Sequence, residues 1–314
     1  MSKLSGSRIL ITGGHGFIGS HLTKKIVDLY DFEKILLIDK NINNSFFKKN
    51  SKITSEEVDI TNIFELSKTI KDFLPTHVFH LSAYTSNNRG IEECNNSIDV
   101  NLKGTCNVIE TTKNPDLEVF IHIGTSEVYG NNHPPFNEGM SVVPNSPYSA
   151  SKMSSEIFSN MLSSNYDLPI VFLRPFNVYG EGQDDKMLIP YVIKKCLKDQ
   201  KINLTGGKQT RESNYVGDIV DGIIKSSITK EAIGEIINLG SGKDIEVRLL
   251  VEKIKHLTQS NSILNFGALS YRKNEIWKMY CDTSKSEKIL GWKCKIGLEE
   301  GLLKTIKWYK QNYI

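Results

Sequence analysis

The run Thr12-Gly13-Gly14-His15-Gly16-Phe17-Ile18-Gly19 limits what this chain can fold into more than any other feature. It joins a β-branched run at 8–12 (RILIT) to an apolar-periodic stretch at 18–30. Glycines at 13, 16 and 19 suit a tight turn whose backbone passes close to a pyrophosphate. The helix that follows offers that anion free N–H groups and the positive end of its dipole. A glycine-rich loop alone says little, but a strand before it and a helix after it supply the context the motif needs. Beyond Gly19, a second apolar run, Leu36-Leu37-Ile38, ends in Asp39. A carboxylate there binds the hydroxyls of an adenosine ribose and repels a 2′-phosphate, so the pattern predicts NAD rather than NADP.

Further along, β-branched runs at 34–38, 53–58, 77–81, 119–124 and 169–174 alternate with helical patterns at 61–73, 98–112 and 149–165. That alternation marks βαβ units, and the fold class expected is α/β, a Rossmann-type doubly wound parallel sheet. The second half is less regular, with a helix near 187–200, a strand at 235–238, a helix near 246–258 and a last helix at 298–312. It is expected to form a smaller, mostly C-terminal α/β lobe for substrate. At 314 residues the chain is about two average domains long. No repeat or low-complexity tether divides it. Residues 1–175 are therefore expected to bind the dinucleotide, with part of 211–240 returning to that domain. Residues 176–314 are expected to form the substrate lobe, the segments interleaving.

Composition excludes several classes. Hydrophobic residues make up 39% and charged residues 24%, ordinary globular usage that rules out collagen-like and disordered chains. Lys+Arg 39 against Asp+Glu 36 leave a formal +3, too mild to expect nucleic acid or an anionic membrane as partner. No stretch approaches the ~18 apolar residues of a membrane helix. The opening MSKLSGSRILITGG stops at glycines, unlike a signal peptide. Cysteines at 94, 106, 196, 281 and 294 contain no C-x-x-C pair, so neither a disulfide framework nor a zinc site is expected. A reducing cytoplasm is the natural compartment. The histidines show no H-x-x-x-H pair, and no metal is expected. His21 reads as a helix-packing residue, Trp292, Trp308 and Tyr309 as core and helix-anchoring aromatics, and 285–295 as a solvated basic face.

Two polar clusters carry the chemistry. Tyr148-Ser149-Ala150-Ser151-Lys152 sets a tyrosine and a lysine four apart, on one helix face. A phenol is a poor base at neutral pH unless a nearby ammonium lowers its pKa. The run 119–124 ends in Thr125-Ser126-Glu127, at the carboxyl edge where α/β sheets bind ligands. Thr125 can bond a substrate hydroxyl, and Glu127 adds a carboxylate beside it.

With these motifs in place the chain resembles the extended short-chain dehydrogenase/reductase family, in its NAD-dependent nucleotide-sugar epimerase/dehydratase branch. The likeness spans nearly the whole chain. It rests on residues 12–19, Asp39, Val58-Asp59-Ile60, His80-Leu81-Ser82-Ala83, Asn101-Leu102-Lys103-Gly104-Thr105 and the Tyr148/Lys152 pair. It continues through Arg174-Pro175-Phe176-Asn177-Val178-Tyr179-Gly180, Gln209-Thr210-Arg211 and Tyr215-Val216-Gly217-Asp218. The resemblance implies NAD held by Gly13, Gly16, Phe17, Ile18, Gly19, Asp39, Asp59, Ile60, Leu81, Ala83 and Asn101, together with Tyr148 and Lys152. It implies a nucleotide-diphosphate sugar on Thr85, Asn177, Leu188, Arg211 and Arg272, the arginines clamping the diphosphate. Tyr148 would take the proton of the sugar 4-hydroxyl, Lys152 would hold the nicotinamide ribose and lower the phenol's pKa, and Thr125 would orient the hydroxyl. Three positions depart from the branch pattern: Ser82 for alanine, Gly217 for aspartate, and Arg272 within Tyr-Arg-Lys-Asn rather than Arg-Pro-Gly.

All members of the branch resemble one another in first oxidising C4; the ketone then has several fates. Thr125-Ser126-Glu127 resembles the dehydratase triplet, in which the carboxylate removes the C5 proton, whereas 4-epimerases usually carry small residues there. Lys186-Met187-Leu188-Ile189-Pro190 also resembles the dehydratase loop over the nucleotide. A 4,6-dehydratase is the leading expectation, ahead of a 4-epimerase and then a uronate decarboxylase. An NAD-binding sensor would be expected to lose the tyrosine or lysine, and reductases of steroids or acyl chains lack Arg211 and the Arg174–Asn177 motif. Helices near 101–112 and 149–164 match those that pair in the family, so a homodimer is expected.

Overall fold

The six apolar runs of the first half become the parallel strands β1 (Arg8–Thr12), β2 (Lys34–Asp39), β3 (Ile53–Glu57), β4 (His77–His80), β5 (Val119–Ile123) and β6 (Ile170–Pro175) in a computed structural model describing residues 4–42, 50–86 and 88–313. The first three residues of the opening stretch lie outside the described ones. A seventh strand, Ile236–Leu239, joins the same sheet beside β6. Among the described residues the order is Ile236–Leu239, β6, β5, β4, β1, β2, β3, every neighbour pair parallel. Burial on both faces explains why β4 and β5 read as unbroken apolar stretches rather than as alternation. Only β3 is largely exposed, as suits an edge.

Successive residues of β1 serve opposite layers. Ile9 and Ile11 pack with Leu22, Ile26, Val220, Ile223 and Trp292, while Leu10 packs with Leu66, Val108, Phe120 and Phe172. The helices of these layers are α1 (Phe17–Leu29), α2 (Ile63–Ile70), α3 (Cys94–Ser97), α4 (Thr105–Thr112) and α5 (Pro147–Tyr166). The helix expected over 98–112 is interrupted: Ile98–Gly104 forms a π-helical turn between α3 and α4. Within it Asn101 reaches the backbone of Tyr84 and the Ser151 hydroxyl, tying the loop after β4 to α5.

The C-terminal half adds α6 (Leu188–Leu197), α7 (Val216–Ser227), α8 (Val247–Thr258), α9 (Ser284–Leu290) and α10 (Leu298–Tyr313). Helices α6, α8 and α10 share a core of Val192, Ile193, Val251, Ile254, Leu302 and Ile306. Strand Thr210–Glu212 lies between Asp244–Glu246 and Lys278–Met279. Helix α7 has no counterpart in the periodicity reading, because Gly217 and Gly222 lower its intrinsic propensity. Gly222 earns its place by packing: a Cβ there would meet the Trp292 ring at 3.0 Å. The basic face expected at 285–295 is corrected here. Its lysines lie outward, but Ser286, Leu290 and Trp292 are buried, and Asp218 accepts from the backbone N–H groups of Lys295 and Ile296. Trp292 and Tyr309 are core residues, and Trp308 packs against the second core.

The backbone approaches itself closely at the glycine turn, where a Cβ on Gly19 would run into the Gly13 carbonyl. Gly19→Ala is expected to cost about 1–3 kcal/mol, the usual range for overpacking. Urea unfolding measures it, and an unchanged midpoint would contradict the packing described.

Candidate active site

The chain runs from β1 to β2 and β3 on one side of β1, then crosses back to β4 on the other. That reversal opens a crevice at the carboxyl ends of β1 and β4, where open α/β sheets take ligands. Gly13 holds φ +70 and donates to Ile38 O at 2.7 Å. A Cβ on it would sit 2.8 Å from the Ser82 nitrogen. Gly16 caps α1 without any side-chain bond, leaving the N–H groups of the first turn unclaimed by side chains. Asp39 Oδ2 accepts from the His15 N–H at 3.0 Å, which fixes the carboxylate beside the turn. This cradle fits a pyrophosphate and ribose.

Other residues expected at the cofactor lie around it. Asp59 accepts from the Thr61 N–H and hydroxyl at 2.9 and 2.8 Å. Burial works to raise its pKa, but those bonds and Lys40 together hold it below the ordinary 3.8. Phe17, Ile18 and Leu81 are partly buried against the core, and Leu81 N–H donates to Thr12 O. Ala83 is half-buried in the loop after β4. Ile60 has its side chain in the core, and the Asn101 amide is engaged by Tyr84 and Ser151. His21 meets the Glu181 carbonyl and the edge of Phe17, a packing role.

The catalytic candidates converge where β5 ends and α5 begins. Thr125 accepts from the Glu127 N–H at 3.2 Å and starts the short turn Ser126–Tyr129. Ser146 and Ser149 form a reciprocal capping box, and Pro147 opens α5. One residue later stands Tyr148, and one turn beyond it Lys152. The Ser146 hydroxyl also faces Glu127 Oε2 at 3.5 Å, and the Tyr148 phenol bonds to Thr125. Ser126 turns away from the others, buried with its hydroxyl on Met279 sulfur.

Electrostatics separate these groups. Burial raises the Glu127 pKa, against the opposing charges of Arg89, Arg272 and Arg211. The Tyr148 phenol is also raised, first by burial and then by the Glu127 charge, with Thr125 opposing. The resemblance implies a phenol lowered by Lys152; in this structure the lysine is not among the groups acting on it. Burial brings Lys152 down to about 8, with Glu156 opposing.

Of the expected substrate residues, Arg211 and Arg272 carry charges that act on Glu127. Arg211 donates from Nη2 to Glu275 at 2.5 Å and from Nη1 to Thr210 O. Next to it in the chain, the buried Gln209 Oε1 and Thr210 Oγ1 have no hydrogen-bond partner among the described residues. Arg272 is exposed, yet its charge acts on both Glu127 and Arg211. Leu188 begins α6, half-buried against the second core, while Thr85 and Asn177 are exposed in loops. Two neighbours carry no sequence signal. Arg89 Nη1 and Asn145 Nδ2 both donate to Asn274 O, at 2.8 and 3.4 Å, drawing the loop after β4 towards the C-terminal half. Among the described residues no cluster of His, Cys, Asp and Glu could hold a metal ion, and no helix is long and apolar enough to cross a membrane.

A glycine cradle on a doubly wound sheet, with tyrosine and lysine one helical turn apart at its carboxyl edge, defines a nicotinamide-dependent enzyme site. The profile of the NAD dependent epimerase/dehydratase family matches residues 9–240, and the chain belongs to that family of enzymes acting on nucleotide sugars with NAD as cofactor. It is 31% identical to UDP-glucuronate 4-epimerase of Thermodesulfobacterium geofontis over 96% of each chain. It is 30% identical to dTDP-D-glucose 4,6-dehydratase of Mus musculus, covering 98% of this chain and 89% of that one. The structure of UDP-glucuronic acid 4-epimerase from Bacillus cereus, in complex with UDP-glucuronic acid and NAD, superposes with a TM-score of 0.89 at 30% identity. That likeness covers 97% of this chain and 99% of the other.

Lys152 provides a test of the buried charge. Its folded pKa lies below the unfolded value, so the native state loses stability as pH falls from 10.5 towards 8, and the loss is complete below that. Lys152→Met removes it and should stabilise the protein by about 3 kcal/mol at pH 7, the gain vanishing near pH 11. Chemical denaturation across pH measures this; a destabilised variant at pH 7 would contradict the burial argument.

Proposed function

We propose that this protein oxidises the C4 hydroxyl of a nucleotide-diphosphate sugar and carries the ketone on to 4,6-dehydration. The observation that carries this reading is Glu127. A half-buried carboxyl stands among Thr125, Tyr148 and Ser146, where a 4-epimerase needs no second acid or base.

The residues divide the work as follows. The glycine turn, the start of α1 and Asp39 hold the dinucleotide, and Lys152 holds the nicotinamide ribose. Bound NAD would supply, in its oxidised form, the acceptor for the C4 hydride and, once reduced, the donor that returns it at C6. Thr125 orients the 4-hydroxyl and Tyr148 takes its proton. Burial works against the Glu127 carboxylate, and the charges of Arg89, Arg272 and Arg211 favour it, the form that can act as a base. Once C4 is a ketone the C5 proton is acidified. The Glu127 carboxylate takes it and passes it to the C6 hydroxyl, which leaves as water as the C5–C6 double bond forms. Hydride added at C6 is matched by a proton at C5, equivalent to the one Tyr148 took from the 4-hydroxyl. Arg211 and Arg272 face the diphosphate, where a guanidinium fork suits phosphate oxygens. Asn177, Leu188 and Thr85 line the sugar and nucleotide.

A 4-epimerase is the second reading, supported by the likeness to the UDP-glucuronate 4-epimerases. Glu127→Gln separates the two. With dTDP-glucose and UDP-glucose as substrates, a dehydratase variant should accumulate reduced cofactor, lose C5 deuterium exchange, and form 4-keto-6-deoxy product about 10²-fold or more slowly. A wild-type product that keeps its 6-hydroxyl and is inverted at C4 would replace dehydratase with epimerase. Loss of CO₂ from UDP-glucuronate would point instead to a decarboxylase.

The protein also fits a homodimer. Ile98 and, on α5, Ile157, Phe158 and Met161 are 42–56% exposed, an apolar strip that a second copy would cover. Light scattering should give twice the 35.4 kDa chain mass at micromolar concentration; a single-chain mass would exclude the dimer. All five cysteines are free, which suits a reducing cytoplasm.

A further inference from the structure

Lys152 shares α5 with a second buried charge. Glu156 lies one turn further on, and Arg174 of β6 grips its carboxylate with two bonds: Nε to Oε2 at 3.0 Å and Nη2 to Oε1 at 2.5 Å. The side chains are 4% and 2% exposed. The remaining arm of the guanidinium, Nη1, donates to the Tyr129 hydroxyl at 2.9 Å, which in turn donates to Asn238 Oδ1 at 2.8 Å. The network is satisfied throughout and crosses three strands' worth of structure: β6, the turn after β5, and Ile236–Leu239.

Stability alone does not account for such a pair. Replacing a buried ion pair by apolar side chains of similar volume is often neutral or stabilising. What distinguishes this pair is its neighbour. Among the described residues nothing hydrogen-bonds or ion-pairs with the Lys152 ammonium. The titratable groups around it are Tyr148 one turn earlier, His80 on β4, His122 on β5, and Glu156. Burial keeps both histidines neutral, and the Lys152 charge adds to that effect. Among the described residues Glu156 is thus the one negative charge acting on the lysine, and it opposes the effect of burial.

We propose that the Glu156–Arg174 pair is a positioning element of the reaction, anchoring α5 to β6 and fixing a negative charge one turn behind Lys152 so that its side chain serves as a charged donor. The inference rests on reading Lys152 as part of the working site, but its test does not use turnover, so the two can fail separately.

The test is ¹³C NMR of protein labelled at lysine Cε, without substrate, with Lys152 assigned by the signal lost in K152M. Because E156Q alone strands a buried guanidinium, the variant titrated is E156Q/R174M, with E156D as the charge-conserving control. The double variant should lower the Lys152 midpoint by about one pH unit, the scale of a neighbouring opposite charge. E156D should keep the wild-type midpoint. A merely structural pair would change the melting temperature and leave the Lys152 titration where it was. An unmoved midpoint in the folded double variant, or an equal shift in E156D, overturns the proposal.

Discussion

The constraint on which the rest of the structure depends is the contact between two backbones at the centre of the sheet. Gly13, leaving β1, lies against Leu81 and Ser82, leaving β4, with no room for a Cβ between them. Parallel strands force the chain to cross over and return, and this is the point where its direction across the sheet reverses. Everything functional is hung from that seam. The glycine turn and Asp39 lie to one side of it; β5, the Thr125 turn and the start of α5 lie to the other. Both sides are registered to the same parallel strands.

The second theme is charge held where water is scarce. Lys152, Glu156, Arg174 and Glu127 all have surroundings that disfavour at least one of their charged forms or demand a partner. The arrangement resolves this differently for each. Arg174 and Glu156 satisfy one another, Lys152 tolerates a lowered pKa, and Glu127 has three arginine charges set against its burial. Such a site opposes stability and is retained where chemistry requires it.

Much of this is legible in the sequence, for identifiable reasons. Strands β1, β2, β4, β5 and β6 announce themselves because double-sided burial demands continuous apolar runs flanked by turns. The glycine turn, the Tyr148/Lys152 spacing and Thr125–Glu127 are local patterns whose geometry follows from one strand or one helix. What stays hidden depends on partners distant in the chain. Helix α7 looks too glycine-rich until Trp292 is seen against Gly222. The 285–295 stretch looks solvated because its lysines outnumber the buried residues among them. Arg89 and Asn145 meet only through Asn274, far along the chain, and Glu156 looks like any helix-surface carboxylate until Arg174 closes on it. The upward shift of Tyr148 is likewise a property of three-dimensional burial that no spacing encodes.

Trp292 has a consequence for how the molecule is made. It fills the layer over β1 together with α1 and α7, and Ile236–Leu239 closes the far edge beside β6. A nascent chain that has released only its first 175 residues therefore carries a sheet with an open edge and a bare apolar face. This part of the sheet cannot be completed as an N-terminal unit ahead of the rest, the usual order during synthesis. It must wait until the ribosome has delivered Trp292, near the other end of the polypeptide.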